Sequence, residues 1–267
     1  MKIAIGVGYD GAGFNGWQSQ PAGNTIQDHL EHALGRIAGS PTRIVGAGRT
    51  DAGVHACAQV AHFETEAKRP ASAWVRGANS ALPDAIALQW ALEVPQAFHA
   101  RYSAIARTYR YVLYNHPVRP ALAAGRCGWY HARLDLDPMR RAAALLVGEH
   151  DFSAFRSSQC QAKTPVRVVR RFEIAQRGPY LMFDISANAF LHHMVRNIIG
   201  CLLYVGNGKR APEWAAELLA SRDRTLAAPT MAASGLYLTG VSYGSEWGLP
   251  GFARMMPFEM PDGGDDC

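Results

Sequence analysis

Along the chain the apolar positions change period several times, and each change marks an element. Ile3, Ile5, Val7 and Tyr9 alternate with small residues, which predicts a strand running into the glycine-rich segment from Asp10 to Gly16. From Thr25 the spacing becomes helical: Ile26, Leu30, Ala33, Leu34 and Ile37 share a face, Thr25 and Asp28 can form a capping box, and Gly39 supplies a stop. A loop from Pro41 to His55 leads to a short strand around Gln59 to Glu64, then a helix from Pro70 to Ser80. Ile86, Leu88, Trp90, Leu92 and Val94 alternate without a break and give the clearest strand in the sequence.

The second half opens with a strand from Arg107 to Asn115 that places Arg107, Tyr109, Tyr111 and Leu113 on one face. Asp137-Pro138 reads as a cap followed by a first-turn proline, opening a helix that ends at Gly148. Strands follow from Val166 to Gln176 and from Tyr180 to Ser186. A longer helix then carries Leu191, Val195, Ile198 and Leu202 on one stripe, a short one runs from Pro212 to Ala220, and Leu236 to Tyr243 is the last strand. Strands and helices mix in both halves without strict alternation, which favours an α+β fold over a doubly wound parallel sheet.

Composition narrows the class. With 267 residues, 48% hydrophobic and 18% charged, the chain can bury a substantial core, which excludes disorder for most of it. The net charge of +5 conceals an asymmetry, because Glu259, Asp262, Asp265 and Asp266 lie in the last nine positions of a Gly/Pro-rich tail. The rest of the chain sets 27 basic residues against 18 acidic ones, a body charge of +9. Only Lys2, Lys68, Lys163 and Lys209 are lysines; the other basic residues are arginines, whose planar forks suit phosphate, although coding bias produces the same excess. Five widely spaced cysteines without a C-x-x-C pair point to a reduced, cytoplasmic setting. The first residues lack the apolar core of a secretory signal, and Ile198 to Val205 is too short to span a bilayer, so no membrane partner is expected.

Two segments carry candidate chemistry. Gly6, Gly8 and Gly11 match the G-x-G-x-x-G of a dinucleotide turn, but the chain continues as loop where that motif demands a helix, so a packed glycine-rich turn is the better reading. The stretch Gly46 to His55 gathers three glycines with Arg49, Thr50, Asp51 and His55. A carboxylate held beside a guanidinium in such a loop suits a nucleophile or base, and it equally suits an ordinary turn with an ion pair. No HExxH, Walker loop or clustered Cys/His ligand set is present, and His192 and His193, read as successive helix positions, should diverge. Neither a metal nor a cofactor is expected.

Residues 9–20 (YDGAGFNGWQSQ) and 48–55 (GRTDAGVH) closely resemble the bacterial tRNA pseudouridine synthase A (TruA) family. FHARYSA (98–104), YRY (109–111), DFSAF (151–155), ANAFLHHMVRN (187–197) and GLYL (235–238) agree in order, so the likeness spans about residues 1–243. It implies that Asp51 is the catalytic aspartate and that Arg49 helps displace the target base. Tyr109 is implied to stack on the flipped uracil and take part in proton removal at C5, and Leu238 to be the apolar residue packed by the site. Arg69, Phe98, His99, Ala100, Arg101 and Tyr102, with Gln159, Cys160, Gln161, Ala162 and Lys163, match tRNA-contacting segments. Ala12 departs from the family pattern, where a threonine is expected, without touching a chemical role.

The resemblance further implies an isomerase acting on uridines 38, 39 and 40 of the tRNA anticodon stem-loop, without cofactor, as a homodimer. The implied fold has two topologically similar halves, residues 1–100 and 101–247, sharing a continuous, mainly antiparallel sheet, with helices on one side, a basic cleft across the other, and a tail at 248–267. Phe190 to Asn197 and the helix after it are a candidate dimer contact. The competing reading is a non-catalytic, arginine-rich RNA-binding protein.

Overall fold

The computed structural model describes residues 1–250, so most of the acidic tail lies outside the described residues. The first half comprises β1 (Lys2–Tyr9), α1 (Ile26–Ala38), β2 (Ile44–Gly46), β3 (His55–Glu64), α2 (Ala71–Asn79) and β4 (Ile86–Val94). The second comprises β5 (Ala104–Asn115), β6 (Gly128–Tyr130), α3 (Leu136–Ala144), β7 (Gly148–Asp151), β8 (Val166–Arg177), β9 (Tyr180–Ala187), α4 (Met194–Gly206), α5 (Trp214–Ser221) and β10 (Leu236–Tyr243).

All ten strands join one sheet, ordered β4-β1-β3-β10-β5-β9-β8-β7, with β2 paired to β3 and β6 to β5. Along that path every pairing is antiparallel except β3 with β10. The last strand thus slots between the halves, and the parallel contact is brief: Tyr237 faces His55 and Leu238 faces Ala56. This is the α+β class expected from the sequence.

Alternation along each strand sorts side chains onto two faces. Ile3, Ile5, Val7, Tyr109, Tyr111, Leu113, Phe183 and Ile185 share the main core with the buried faces of all five helices. The opposite face carries smaller apolar clusters, one around Val60, Val94, Phe98 and Ala100, the other around Val112, Ala123, Cys127 and Tyr237. α1 illustrates how local chemistry sets an element. The Thr25 hydroxyl accepts from the Asp28 N–H (3.2 Å), the Asp28 carboxylate accepts from the Thr25 N–H (3.2 Å), and Gly39 ends the helix at φ 73°. Ile26, Leu30, Ala33 and Leu34 are fully buried beneath it.

Four local expectations change. The loop from Pro41 to His55 contains β2, and β3 starts at His55, earlier than expected. The cap of α3 is Asp135, whose carboxylate accepts from the Asp137 N–H, so Pro138 falls inside the first turn. α4 begins at Met194, after Leu191, and is buried on almost every side within this chain. It therefore offers little surface for a dimer contact.

Candidate active site

The loop between β2 and β3 is fixed by backbone contacts that the glycines permit. A β-carbon at Gly11 would collide with the Val54 carbonyl, and one at Gly16, where φ is +86°, would lie 2.7 Å from the Thr50 oxygen. The segment after β1 therefore packs backbone to backbone on the loop, with Trp17 N–H donating to the Thr50 carbonyl (3.0 Å). The Tyr9 and Thr50 hydroxyls meet at 2.8 Å, the Gln59 amide donates to the Gly48 carbonyl (2.8 Å), and Arg107 donates to the Ala47 carbonyl (3.0 Å). Gly6 and Gly8 lie inside β1, which leaves no phosphate-cradling turn at the dinucleotide-like pattern.

This support presents Asp51 to the start of α4. Its Oδ1 lies 3.1 Å from His192 Nε2, while Oδ2 lies 2.9 Å from Arg196 Nη1 and 3.3 Å from His193 Nε2. Arg196 is held in turn by its Nε–H, which donates to the Met231 carbonyl at 2.7 Å. The two histidines were expected to diverge, and that expectation is wrong for a specific reason. They precede the helix, and His193 takes a left-handed conformation (φ 63°, ψ 2°) that brings its ring to 3.9 Å from that of His192. Such a conformation costs a non-glycine residue about 1–2 kcal/mol, and strain of this kind concentrates at functional sites. Burial holds the His193 pKa below the ordinary histidine value, with the Asp51 charge opposing it. The donor atoms of Asp51, His192 and His193 all lie within 4.8 Å of one another, a spacing that could hold a metal ion.

Tyr109 projects from β5 into the same space. It is 8% exposed, its ring meets Phe190 edge-on at 5.1 Å, and burial, with the nearby Tyr9 and Asp51, raises its hydroxyl pKa well above the usual tyrosine range. The cleft above it measures about 1140 Å³ and is walled by Arg49, Arg101, Arg107, Arg167 and Arg196, with Asp51 the one acid among the lining residues. It lies between the starts of α1 and α4. Tyr109 and Leu236 point that way because they share alternation with the main core.

The other candidate residues separate by burial. Arg101, Tyr102, Gln159, Cys160, Gln161 and Ala162 line the cleft, and Arg49 is exposed there without an ion pair among the described residues. His99 stacks on Tyr102, their ring centres 4.3 Å apart. Phe98 and Ala100 are fully buried in the opposite-face cluster, so their side chains cannot meet a ligand; Phe98 serves as a core anchor for this segment. Arg69 and Lys163 are exposed but lie outside the cleft wall. Leu238, paired with Tyr109 across the sheet, is fully buried off the wall, and Leu236, two residues earlier on the same face, reaches the cleft instead. Arg196, His192 and His193 are the site residues that motif reading left without a role.

An arginine-walled cleft with one fixed carboxylate at its floor defines an enzyme that acts on a polyanion. The chain belongs to the tRNA pseudouridine synthase family, which it matches over residues 6–103 and 142–244. It is 58% identical to tRNA pseudouridine synthase A of Paraburkholderia xenovorans (strain LB400), over 93% of this chain and 92% of that protein. Similar relatives of the same name occur in Aromatoleum aromaticum (56% identical, covering 96% of this chain and 97% of the relative) and Chromobacterium violaceum (58%, covering 94% and 96%). Among the described residues no helix is long and apolar enough to cross a membrane.

Proposed function

We propose that the protein isomerises uridine to pseudouridine at positions 38, 39 and 40 of the tRNA anticodon stem-loop, working as a cytoplasmic homodimer. The observation that carries this reading is the Asp51 carboxylate, clamped by Arg196, His192 and His193 at the floor of an arginine-lined cleft beside the Tyr109 ring. In the reaction the N1–C1′ bond breaks, C5 bonds to C1′, and the C5 proton is replaced by one at N1. No atom or electron is gained overall. The base must leave its stack first, which calls for a cation to occupy the gap and an aromatic face to receive the uracil. Arg49, exposed at the rim, and Tyr109, at the floor, supply these.

Asp51 acts on the flipped nucleotide at C6 of the uracil or at the ribose. A tyrosine is a neutral phenol at neutral pH and burial moves Tyr109 further in that direction, so it can receive the C5 proton only while giving up its own. That favours stacking as its main contribution. Leu122, fully exposed, and Val118, at 65%, offer a second copy an apolar patch on the β5–β6 connection.

The test is tritium release from tRNA labelled at uracil C5. Wild type should release label, Asp51→Ala should bind the tRNA without release, and transcripts with cytidine at 38, 39 and 40 should give none. Release from the cytidine transcripts would overturn the positional assignment, and release by Asp51→Ala would overturn the role of the carboxylate. Light scattering at twice the chain mass is the expected result for the dimer.

A further inference from the structure

We propose that Asp51, His192 and His193 form a binding site for a divalent transition-metal ion of the zinc class, and that occupation of this site withdraws the carboxylate from catalysis. The metal-binding part stands on geometry alone; the inhibitory part rests on the catalytic role assigned to Asp51 above.

Zinc bonds to imidazole nitrogen and carboxylate oxygen are about 2.0–2.2 Å long, so neighbouring ligand atoms in a tetrahedral site sit about 3.3–3.5 Å apart. His192 Nε2 lies 3.1 Å from Asp51 Oδ1 and His193 Nε2 3.3 Å from Oδ2, close to that spacing for a carboxylate that turns one oxygen to each ring, and with one donor atom from each residue all three fall within 4.8 Å. Drawing the three donor atoms in from that 4.8 Å bound to the tetrahedral spacing asks for movements on the order of 1 Å. Sequence neighbours do not ordinarily converge on one ion; here the left-handed backbone of His193 turns both Nε2 atoms to the same carboxylate.

The donor set chooses the metal. Two imidazoles and one carboxylate suit zinc, cobalt or nickel, whereas magnesium and calcium prefer oxygen ligands throughout. The three side chains are each 23–33% exposed and border the cleft, leaving a coordination position open towards it, as in sites with three protein ligands. Arg196 stays hydrogen-bonded to Oδ2, fixing the carboxylate while its positive charge weakens cation affinity. Together these make a reversible site, and a bound ion would compete with the flipped uridine for Asp51.

The experiment titrates the full chain with Co²⁺, read by its visible absorption, and with Zn²⁺, read by calorimetry. One equivalent should bind. His192→Ala and His193→Asn should each weaken binding by on the order of tenfold or more; asparagine tolerates the left-handed backbone, so the second variant keeps its fold. Cys160→Ser, in the same cleft, should leave binding intact, and prior addition of an anticodon stem-loop RNA should weaken it. Failure to bind one equivalent, binding indifferent to both histidine substitutions, or loss of binding in Cys160→Ser would overturn the site. Zn²⁺ should also suppress tritium release, with recovery on adding a chelator. Binding without suppression would overturn the inhibition, whereas a metal-free wild type that never releases tritium would instead overturn the proposed function and leave the metal site standing.

Discussion

Replacing Arg196 with methionine isolates what holds the Asp51 carboxylate in place. The arginine joins two elements through one planar group, with Nη1 at 2.9 Å from Asp51 Oδ2 and Nε at 2.7 Å from the Met231 carbonyl, and its side chain is 15% exposed. Methionine keeps the apolar stem and removes the charge and the donors. A hydrogen bond between charged partners contributes about 1.5–3 kcal/mol. If Asp51 must be held in one orientation only as the transition state forms, that loss falls on the chemical step and slows it by roughly 10- to 150-fold, at 1.36 kcal/mol per factor of ten. Single-turnover tritium release at saturating enzyme reads this rate directly, and filter binding should show tRNA affinity within about threefold of wild type on the same reasoning. Arg196→Lys should fall between, because an ammonium cannot span both acceptors as the fork does. A folded Arg196→Met variant that turns over within twofold of wild type would refute the argument.

Other expectations concern binding and stability. Arg101 lines the cleft and is exposed, so Arg101→Ala should reduce the slope of log affinity against log salt by about 1 while leaving the saturated single-turnover rate unchanged; an unaltered slope would remove Arg101 from the phosphate contacts. Burial, with smaller contributions from the charges of His99 and Lys2, pushes His62 down to about 4 from the ordinary 6.5. The unfolded chain then takes up this proton first, so the group costs stability progressively as pH falls from 6.5 towards 4, by at most about 3 kcal/mol in all. His62→Gln should flatten that acid limb in urea denaturation series between pH 7.5 and 4.5, and superimposable limbs would contradict the assignment. Thr25→Ala removes the α1 capping box and should cost about 1 kcal/mol, with Thr25→Gly costing less, as read by thermal unfolding.

Elements whose limits depend on neighbouring residues were legible from the chain alone. The alternation from Ile86 to Val94 coincides with β4, and Thr25, Asp28 and Gly39 bound α1 because capping is a contact between near neighbours. β2, β6 and β7 were invisible for the opposite reason. Each is three or four residues long and exists by pairing with a distant strand, as Ile44 does with Phe63, Leu113 with Gly128 and Gly148 with Val169. The parallel junction of β3 with β10 involves two register pairs 182 positions apart in sequence, and no periodicity records it.

The site was half legible for a related reason. Asp51 stands out because its loop is dense in glycine and polar residues, whereas its partners sit in a stretch whose apolar spacing from Leu191 to Leu202 imitates an unbroken helix. A different signal was present there. His192, His193 and Arg196 put three potential cations at the start of a helix with no acidic residue in its first turn and no side-chain cap, against the positive end of the helix dipole. Each such charge is disfavoured by about 0.3–1 kcal/mol in isolation, so the arrangement calls for an anion delivered from elsewhere. Asp51 is that anion, 145 residues away, and it also gains from the helix terminus it faces. The same contacts that relieve the charge at α4 hold the carboxylate in the arginine-walled cleft, so the local conflict in the sequence marks the pairing that builds the site.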